Sequence, residues 1–335
     1  MFPCQIDSNP SNHSLRPTTK APNPASPFAA DREVLAFGEI LDGWLAQKRS
    51  VLRRTTFSTY LSVVENHLRP ALGALPAQET DDFAIASFIN DISSDRSALS
   101  ASTARGIVNV LRSVLEYGRA FGVSAQPSSC VCQKKNVRAE ISVLTDAEQE
   151  RLLAYLGLYP CGTNLGILIC LKTGLRLGEI CALKWGDISF SAGLLCVNRT
   201  VSRIRPEDGS EGTQLYFGSP KSASSKRSIP LPPSLLRVLE HRRGEDECFV
   251  LSGRADKIVE PRSMQRHFKT VLRRAGIRDM NFHVLRHSFA TKCVDLGFDV
   301  KSLSMILGHS SVNTTMNTYV HPSLERMRSM MSLLE

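Results

Sequence analysis

No stretch of this 335-residue chain stays apolar for the length that a bilayer crossing demands; the longest such run, around Leu165 to Leu171, falls far short. Nor does the start, MFPCQIDSNPSNHS, place a basic segment before an apolar one, so no secretory leader and no membrane association are expected and the chain reads as cytoplasmic. Cysteine patterning is missing too. The nine cysteines are odd in number and scattered singly, which argues against a disulfide framework and suits a reducing compartment. Cys130 and Cys132 stand one residue apart rather than two, with no matching pair elsewhere, so a zinc site is not expected. Acidic charge is short as well. Against 41 Lys and Arg there are 32 Asp and Glu, a net charge of +9. That excess is not spread evenly: residues 1–30 carry +1, residues 31–125 carry −1 and residues 126–335 carry +9. A basic C-terminal part favours a polyanionic partner through counterion release, nucleic acid foremost.

What is present divides the chain in two. Its length allows two separate cores, and an apolar content of 42% with 22% charged residues is ordinary for a soluble globular protein. Residues 1–30 hold six prolines and many Ser, Asn and Thr, the composition of a disordered tail. From Asp31 the pattern turns helical. Phe37, Ile40, Leu41, Trp44 and Leu45 recur at three- and four-residue spacing up to Lys48 and Arg49. A second helix is expected to start with Thr55 as N-cap and to run through Tyr60, Leu61, Val64 and Leu68 to Pro70. A third spans Asp81 to Ile92 with Phe83, Ile85, Phe88 and Ile89, and a fourth spans Ser100 to Phe121. Residues 31–125 therefore read as a four-helix bundle. Lys48, Arg49, Arg53, Arg54, Arg105 and Arg112 are its candidate phosphate contacts, although each also reads as part of a solvated helix face. Residues 126–142, with Lys134, Lys135 and Arg138, have the composition of a linker, either a hinge between two DNA-contacting lobes or simply a soluble connection.

The second part, residues 143–335, opens with Thr145 and Glu148 at capping-box spacing. In the segment LKTGLRLGEICALKW, Gly174 breaks an apolar run, Arg176 begins a new helix and Glu179 follows one turn later. An arginine at the positive end of a helix dipole is poorly placed unless an anion arrives, which hints at a phosphate site. Short alternating runs follow at Asp187–Phe190 and Leu194–Val197, and Gln214–Phe217 is expected to pair with Arg227–Leu231 across the loop GSPKSASSK. Leu235–Arg243 and the basic segment Ser263–Ala275 are amphipathic helices.

The chemistry concentrates in His283–His321, which holds four of the chain's eight histidines together with Arg286 and Tyr319. On a helix, His283 and Arg286 share a face while Val284, Leu285, Phe289, Val294 and Leu296 can pack inward. Leu307 and Gly308 read as a helix ended by a glycine C-cap, which fixes His309, and a short helix from Asn313 carries Tyr319. Arginine matches phosphate oxygens with a planar fork, histidine exchanges protons near neutral pH, and tyrosine is a possible covalent nucleophile. The set suits phosphoryl transfer better than acyl transfer.

The run H-x-L-R-H, then Leu307-Gly308-His309, then Tyr319-Val320-His321 resembles the C-terminal signature of the tyrosine recombinase, or phage integrase, family. The segment T-G-x-R-x-x-E resembles that family's first box, with Arg176 and Glu179 in its charged positions, and Lys221 before Ser-x-Arg-x-Ile-Pro-Leu resembles its catalytic lysine, in preference to Lys226. The pattern departs at Val284, where the family often has aspartate; that place lies outside the reacting set and bears on how the helix starts.

The resemblance implies a fold that is mainly α with a small β-sheet (α+β), namely an all-helical core-binding bundle and a mixed catalytic domain carrying a β-hairpin. It implies the catalytic set Arg176, Lys221, His283, Arg286, His309 and Tyr319, with Tyr319 attacking a DNA phosphodiester, His283 accepting its proton, the arginines clamping the non-bridging oxygens, Lys221 protonating the 5′-oxygen and His309 supporting the phosphate. Neither a metal nor a cofactor is implied. The implied partners are double-stranded DNA, a homo-tetramer on DNA and an accessory DNA-bending or directionality protein. His287 and His321 receive no reacting role, and His287 reads as a structural hydrogen-bonding residue near Arg286. The tail with Leu324, Met327, Met330, Met331, Leu333 and Leu334 docks on a neighbouring protomer or packs on its own domain. Two alternatives share some of these features: a type IB topoisomerase that reseals one strand, and a DNA-binding protein with a relict site.

Overall fold

The computed structural model describes residues 35–94, 97–126, 142–207, 210, 212–218, 226–320, 327–328 and 331–332. Among them the chain is mostly helical with two small antiparallel sheets, as the α+β expectation required.

The N-terminal bundle is built from α1 (Phe37–Val51), α2 (Arg54–Val63), α3 (Arg69–Leu72), α4 (Asp82–Ser93) and α5 (Ala101–Gly118). Its core gathers Phe37, Leu41, Trp44, Ile85, Leu111 and Leu115, the residues whose spacing marked them as inward-facing. Asp81 and Ser100 cap α4 and α5 by accepting hydrogen bonds from the backbone N–H groups of Ala84 and Thr103. Local pattern misjudged three details. The cap of α2 is Arg53, so Thr55 lies inside the helix. Phe83 is 83% exposed, because two residues before Ile85 is the wrong side of a helix whose buried face is Ile85, Phe88, Ile89 and Ile92. The helix also runs past Pro70. A π-helical turn at Val64–Leu68 joins α2 to α3, and the Arg69 N–H reaches back five residues to the Val64 carbonyl, which moves aside the backbone that a proline ring meets in a regular helix.

The C-terminal part contains α6 (Asp146–Leu158), α7 (Gly162–Thr173), α8 (Leu177–Cys181), β1 (Ile188–Ser189), β2 (Leu194–Val197), β3 (Thr200–Ile204), β4 (Gln214–Gly218), β5 (Arg227–Pro230), α9 (Pro233–Glu240), α10 (Pro261–Arg274), α11 (Val284–Asp295), α12 (Val300–Leu307) and α13 (Val312–Tyr319). Thr145 and Glu148 form the expected capping box of α6. One large core joins α6, α7, α8, α10 and the first turn of α11 to β2 and β5, while a smaller one binds α11, α12 and α13 through Ala290, Val294, Leu303, Leu307 and Tyr319. Leu296, expected to pack inward, is instead at the end of α11 and 67% exposed.

The strand pairing differs from expectation. β5 pairs with β2, placing Leu195 opposite Ile229, and β4 pairs with β3, a strand absent from the sequence reading. Buried Leu195 and Ile229 lock the first pair into the main core, whereas β3 and β4 form a separate ribbon. That ribbon reaches the bundle: the Arg205 N–H donates to Ser58 Oγ at 2.7 Å, and Glu207 pairs with Arg49 and Arg54 at 3.3 and 3.6 Å.

α8 lies so close to β3 that a Cβ on Gly178 would overlap the Val201 carbonyl oxygen and the Thr200 side chain. Gly178→Ala must push β3 away, and overpacking of this kind costs about 1–3 kcal/mol. Urea unfolding is expected to show that loss.

Candidate active site

The site forms where the ends of α7 and α12 meet. α7 ends on Gly174 and α12 ends on Gly308, both with φ of +67°, a left-handed conformation in which glycine carries no side-chain penalty. A helix end leaves carbonyls without partners. Three arginines answer them. Arg227 donates to the Ile306 carbonyl at 2.5 Å, Arg286 to Leu307 at 2.9 Å and Arg176 to Gly308 at 2.7 Å. Arg286 donates also to the Gly174 carbonyl at 2.7 Å and is 2% exposed. Guanidiniums at the negative end of a helix dipole are well placed, and their planar forks are fixed by the backbone itself.

Glu179 is the one carboxylate in this group. It takes two hydrogen bonds from Arg227, at 3.0 and 2.9 Å, one from the Arg176 guanidinium at 2.9 Å, and one from the Arg176 backbone N–H at 2.9 Å. Burial pushes its carboxyl up, but the Arg227 hydrogen bonds and charge, with help from Arg176, outweigh this and hold it below the usual carboxylate range. Three guanidiniums around one carboxylate leave positive charge in excess. Burial and the charge of Arg176 accordingly draw Arg286 down to about 9, a cation that an incoming anion would relieve.

The histidines face this cluster. His283 precedes α11, where Asn281 Oδ1 accepts from the His283 backbone N–H at 3.0 Å, and Val284 is buried. Burial first, then His287, Arg286 and Arg176, lower His283 to about 4. His309 falls to about 4 as well, through burial and the charges of Arg286, Arg176 and Arg227. Both rings are neutral at pH 7. His309 Nδ1 lies 2.7 Å from the hydroxyl of fully buried Thr315, and when that hydroxyl donates, the ring carries its proton on Nε2.

Tyr319 ends α13 and is 7% exposed. Its hydroxyl stands 2.8 Å from His287 Nδ1, so its partner is His287 rather than His283. Burial raises the phenol above its ordinary value, while the charge and hydrogen bond of Arg286 pull the other way.

Of the residues singled out in the sequence, Arg176, His283, Arg286, His309 and Tyr319 are brought together. Lys221, like His321, lies outside the described residues. Sequence reasoning gave no role to Arg227, although it is the arginine in Ser-x-Arg-x-Ile-Pro-Leu, nor to Thr315 or Asn281, and it left His287 aside although the H-x-L-R-H motif contains it. Among the candidate phosphate contacts, Arg49 and Arg54 engage Glu207, and Lys48 lies over the Trp44 ring.

Comparison with known proteins gives the class. The profile described as "Phage integrase family" matches residues 142–326, more than half of the chain, and the chain belongs to this family. Among its relatives is a protein named tyrosine recombinase XerC-like from Caldanaerobacter subterraneus subsp. tengcongensis, 26% identical over an alignment 321 positions long that covers 87% of this chain and 80% of the relative. The fold is that of the Tn1549 transposon integrase solved with a circular intermediate DNA, with a TM-score of 0.72 and 18% identity over 90% of this chain and 99% of that one. It is shared with the lambda integrase tetramer bound to a Holliday junction, at a TM-score of 0.62 and 18% identity over 88% of this chain and 80% of that one.

The Glu179–Arg227 pair should dominate local stability, because both side chains are buried and removing one partner of such a pair costs about 3–5 kcal/mol. Glu179→Gln is expected to show that loss in denaturant titration at pH 7. A carboxyl whose folded pKa is depressed stabilises above its unfolded value and loses that contribution as pH falls through the folded value. Wild-type protein should therefore lose more stability than Glu179→Gln between about pH 6 and about pH 3.

Proposed function

We infer that this protein, a tyrosine-type site-specific DNA recombinase, breaks and rejoins DNA through a bond between Tyr319 and a DNA phosphate. The observation that carries this reading is a buried phenol hydroxyl set among neutral imidazoles and beside guanidiniums that lack enough anions. A phosphodiester entering in front of Arg176 and Arg286 supplies that missing charge. Their free N–H groups take the non-bridging oxygens and hold more tightly as the phosphorus becomes five-coordinate, which is where stabilisation accelerates the reaction. Tyr319 Oη attacks phosphorus, the bond to the 5′-oxygen breaks, and a 3′-phosphotyrosyl link remains. Lys221 protonates the leaving oxygen. His309 donates from Nε2 to the phosphate, and His283 takes part in proton exchange at the phenol. Glu179 is a positioning residue that acts through Arg176 and Arg227. The phosphotyrosyl bond conserves the energy of the broken backbone, so the reaction needs no nucleotide, and the arginines take the electrostatic role that a metal would otherwise fill.

The partner is double-stranded DNA. Supporting this is an open groove of about 810 Å³ between α2 and the β3–β4 ribbon, lined by Arg53, Arg54, Arg203 and Arg205. Residues 31–125 and 143–335 act as two lobes on the duplex, with 126–142 as linker. Strand exchange requires two duplexes cut in step, hence four copies in a synapse. Exposed Leu296, Phe298, Met305 and Met316, together with exposed Met327 and Met331 in the tail, support a neighbour docking at this end of the molecule. Among the described residues no helix is long and apolar enough to cross a membrane, and the odd, scattered cysteines support a cytoplasmic protein.

The test uses nicked suicide duplexes from DNA flanking the gene, incubated without metal. A detergent-stable protein–DNA adduct is expected for wild type and none for Tyr319→Phe, with DNA binding retained by both. Arg176→Lys is expected to slow adduct formation by about 10²–10³-fold, since an ammonium cannot replace a two-pronged fork. Adduct formation by Tyr319→Phe at the wild-type rate sinks the nucleophile assignment. Transfer of the cleaved strand to a second duplex separates recombination from simple resealing.

A further inference from the structure

The five catalytic residues that the motifs single out among the described residues leave the phenolic proton without a receiver in contact. One residue outside that set touches the reacting oxygen. His287 Nδ1 is 2.8 Å from Tyr319 Oη, within the range of a hydrogen bond to a phenol. His283 lies one turn earlier, just before α11, its ring edge-to-face with that of His287 at 4.6 Å, while the His287 and Tyr319 rings are 5.6 Å apart. The order is therefore Tyr319, His287, His283, with His287 touching both.

We propose that His287 is a catalytic residue, the base that takes the proton from Tyr319 Oη as the phenol attacks phosphorus. The assignment rests on the phosphotyrosyl reading above and adds to it the identity of the group in contact with the nucleophile. In the step, the Oη–H bond breaks and its proton passes to Nδ1. The Oη–P bond forms, the P–O5′ bond breaks, and the leaving oxygen takes a separate proton from Lys221. The 5′-hydroxyl that attacks in the second step gives its proton back to Lys221. The departing Tyr319 oxygen then recovers its own from the His287 imidazolium, so the site is restored without outside reagents.

Geometry and electrostatics agree on the starting protonation state. Among the described residues the groups that act on His287 are Tyr319 from α13 and, on its own helix, His283 and Arg286. Burial first and then the charge of Arg286 keep His287 below its ordinary value. The ring is neutral at pH 7, so Nδ1 can accept from the phenol while Nε2 carries the ring proton. An incoming phosphate offsets the charge of Arg286, which strengthens the base when the substrate is bound and only then.

Two substitutions separate a base from a mere hydrogen-bond partner. His287→Asn keeps a polar atom near the position of Nδ1 but cannot take a proton; His287→Ala removes the group altogether. Single-turnover adduct formation on the nicked duplex is followed from about pH 5 to about pH 9, with DNA affinity and thermal melting measured alongside. The expected result is that both variants bind DNA as wild type does and cleave about 10²-fold or more slowly at pH 7. Both should also lose the fall in rate that wild type shows on the acid side, and His287→Ala should recover part of its rate with added imidazole. Cleavage by His287→Asn at the wild-type rate overturns the proposal, because a hydrogen bond then suffices. A faster His287→Ala overturns it by showing that the contact restrains the phenol. Slow variants that keep the wild-type acid limb place the base at His283 and overturn it too. If His287→Ala does not fold, His287→Asn decides alone. Wild-type protein that binds the duplex without forming an adduct removes the phosphotyrosyl reading and the base with it; an adduct with unaffected variants removes the base only.

Discussion

The end of α12 is the point on which the site depends. Three consecutive carbonyls, those of Ile306, Leu307 and Gly308, each receive an arginine, and the three arginines come from β5, α11 and the residue before α8. Unpaired carbonyls buried at a helix terminus are costly, and arginine is the side chain able to meet them while keeping donors to spare. The same bonds that satisfy the backbone therefore hold the guanidiniums still. Preorganisation of this kind is what a phosphoryl-transfer site needs, since donors fixed before the reaction require no rearrangement during it.

Glu179 makes that arrangement tolerable. Arg227 is nearly as buried as Glu179, and without the carboxylate three cations would face one another in a poorly solvated space. One carboxylate against three guanidiniums is a compromise. It supports the site in the absence of substrate and leaves an attraction for anions that DNA can satisfy. Burial first, and then the same surplus of charge, keeps His283 and His309 neutral.

The ribbon of β3 and β4 ties the catalytic part to the bundle through Arg205 with Ser58 and through Glu207 with Arg49 and Arg54. Exposed ion pairs contribute little to stability and weaken with salt.

Local chemistry was legible in the sequence. The capping box at Thr145, the glycine stops at Gly174 and Gly308, and the helices carrying Arg286 and Tyr319 all follow from residues within a turn or two of one another. The types of side chain that the fold brings together were legible for the same reason, because each motif keeps its spacing over a short stretch. What depends on distant parts of the chain was not. Strand partners were misassigned because pairing is decided by which face reaches the core, and Leu195 with Ile229 is buried in it while β4 packs only partly buried Leu215 against it. Phe83 and Leu296 looked apolar and proved exposed, since composition does not say which side of a helix is covered. Arg227 and His287 were visible as letters, yet their roles arise only when β5, α11 and α13 meet. The sequence alone determined which side chains were available for chemistry and on which elements they ride. Tertiary structure alone decided which carbonyls needed an arginine and which imidazole meets the phenol, because those contacts span 21 to 132 residues of chain and are fixed by packing rather than by spacing.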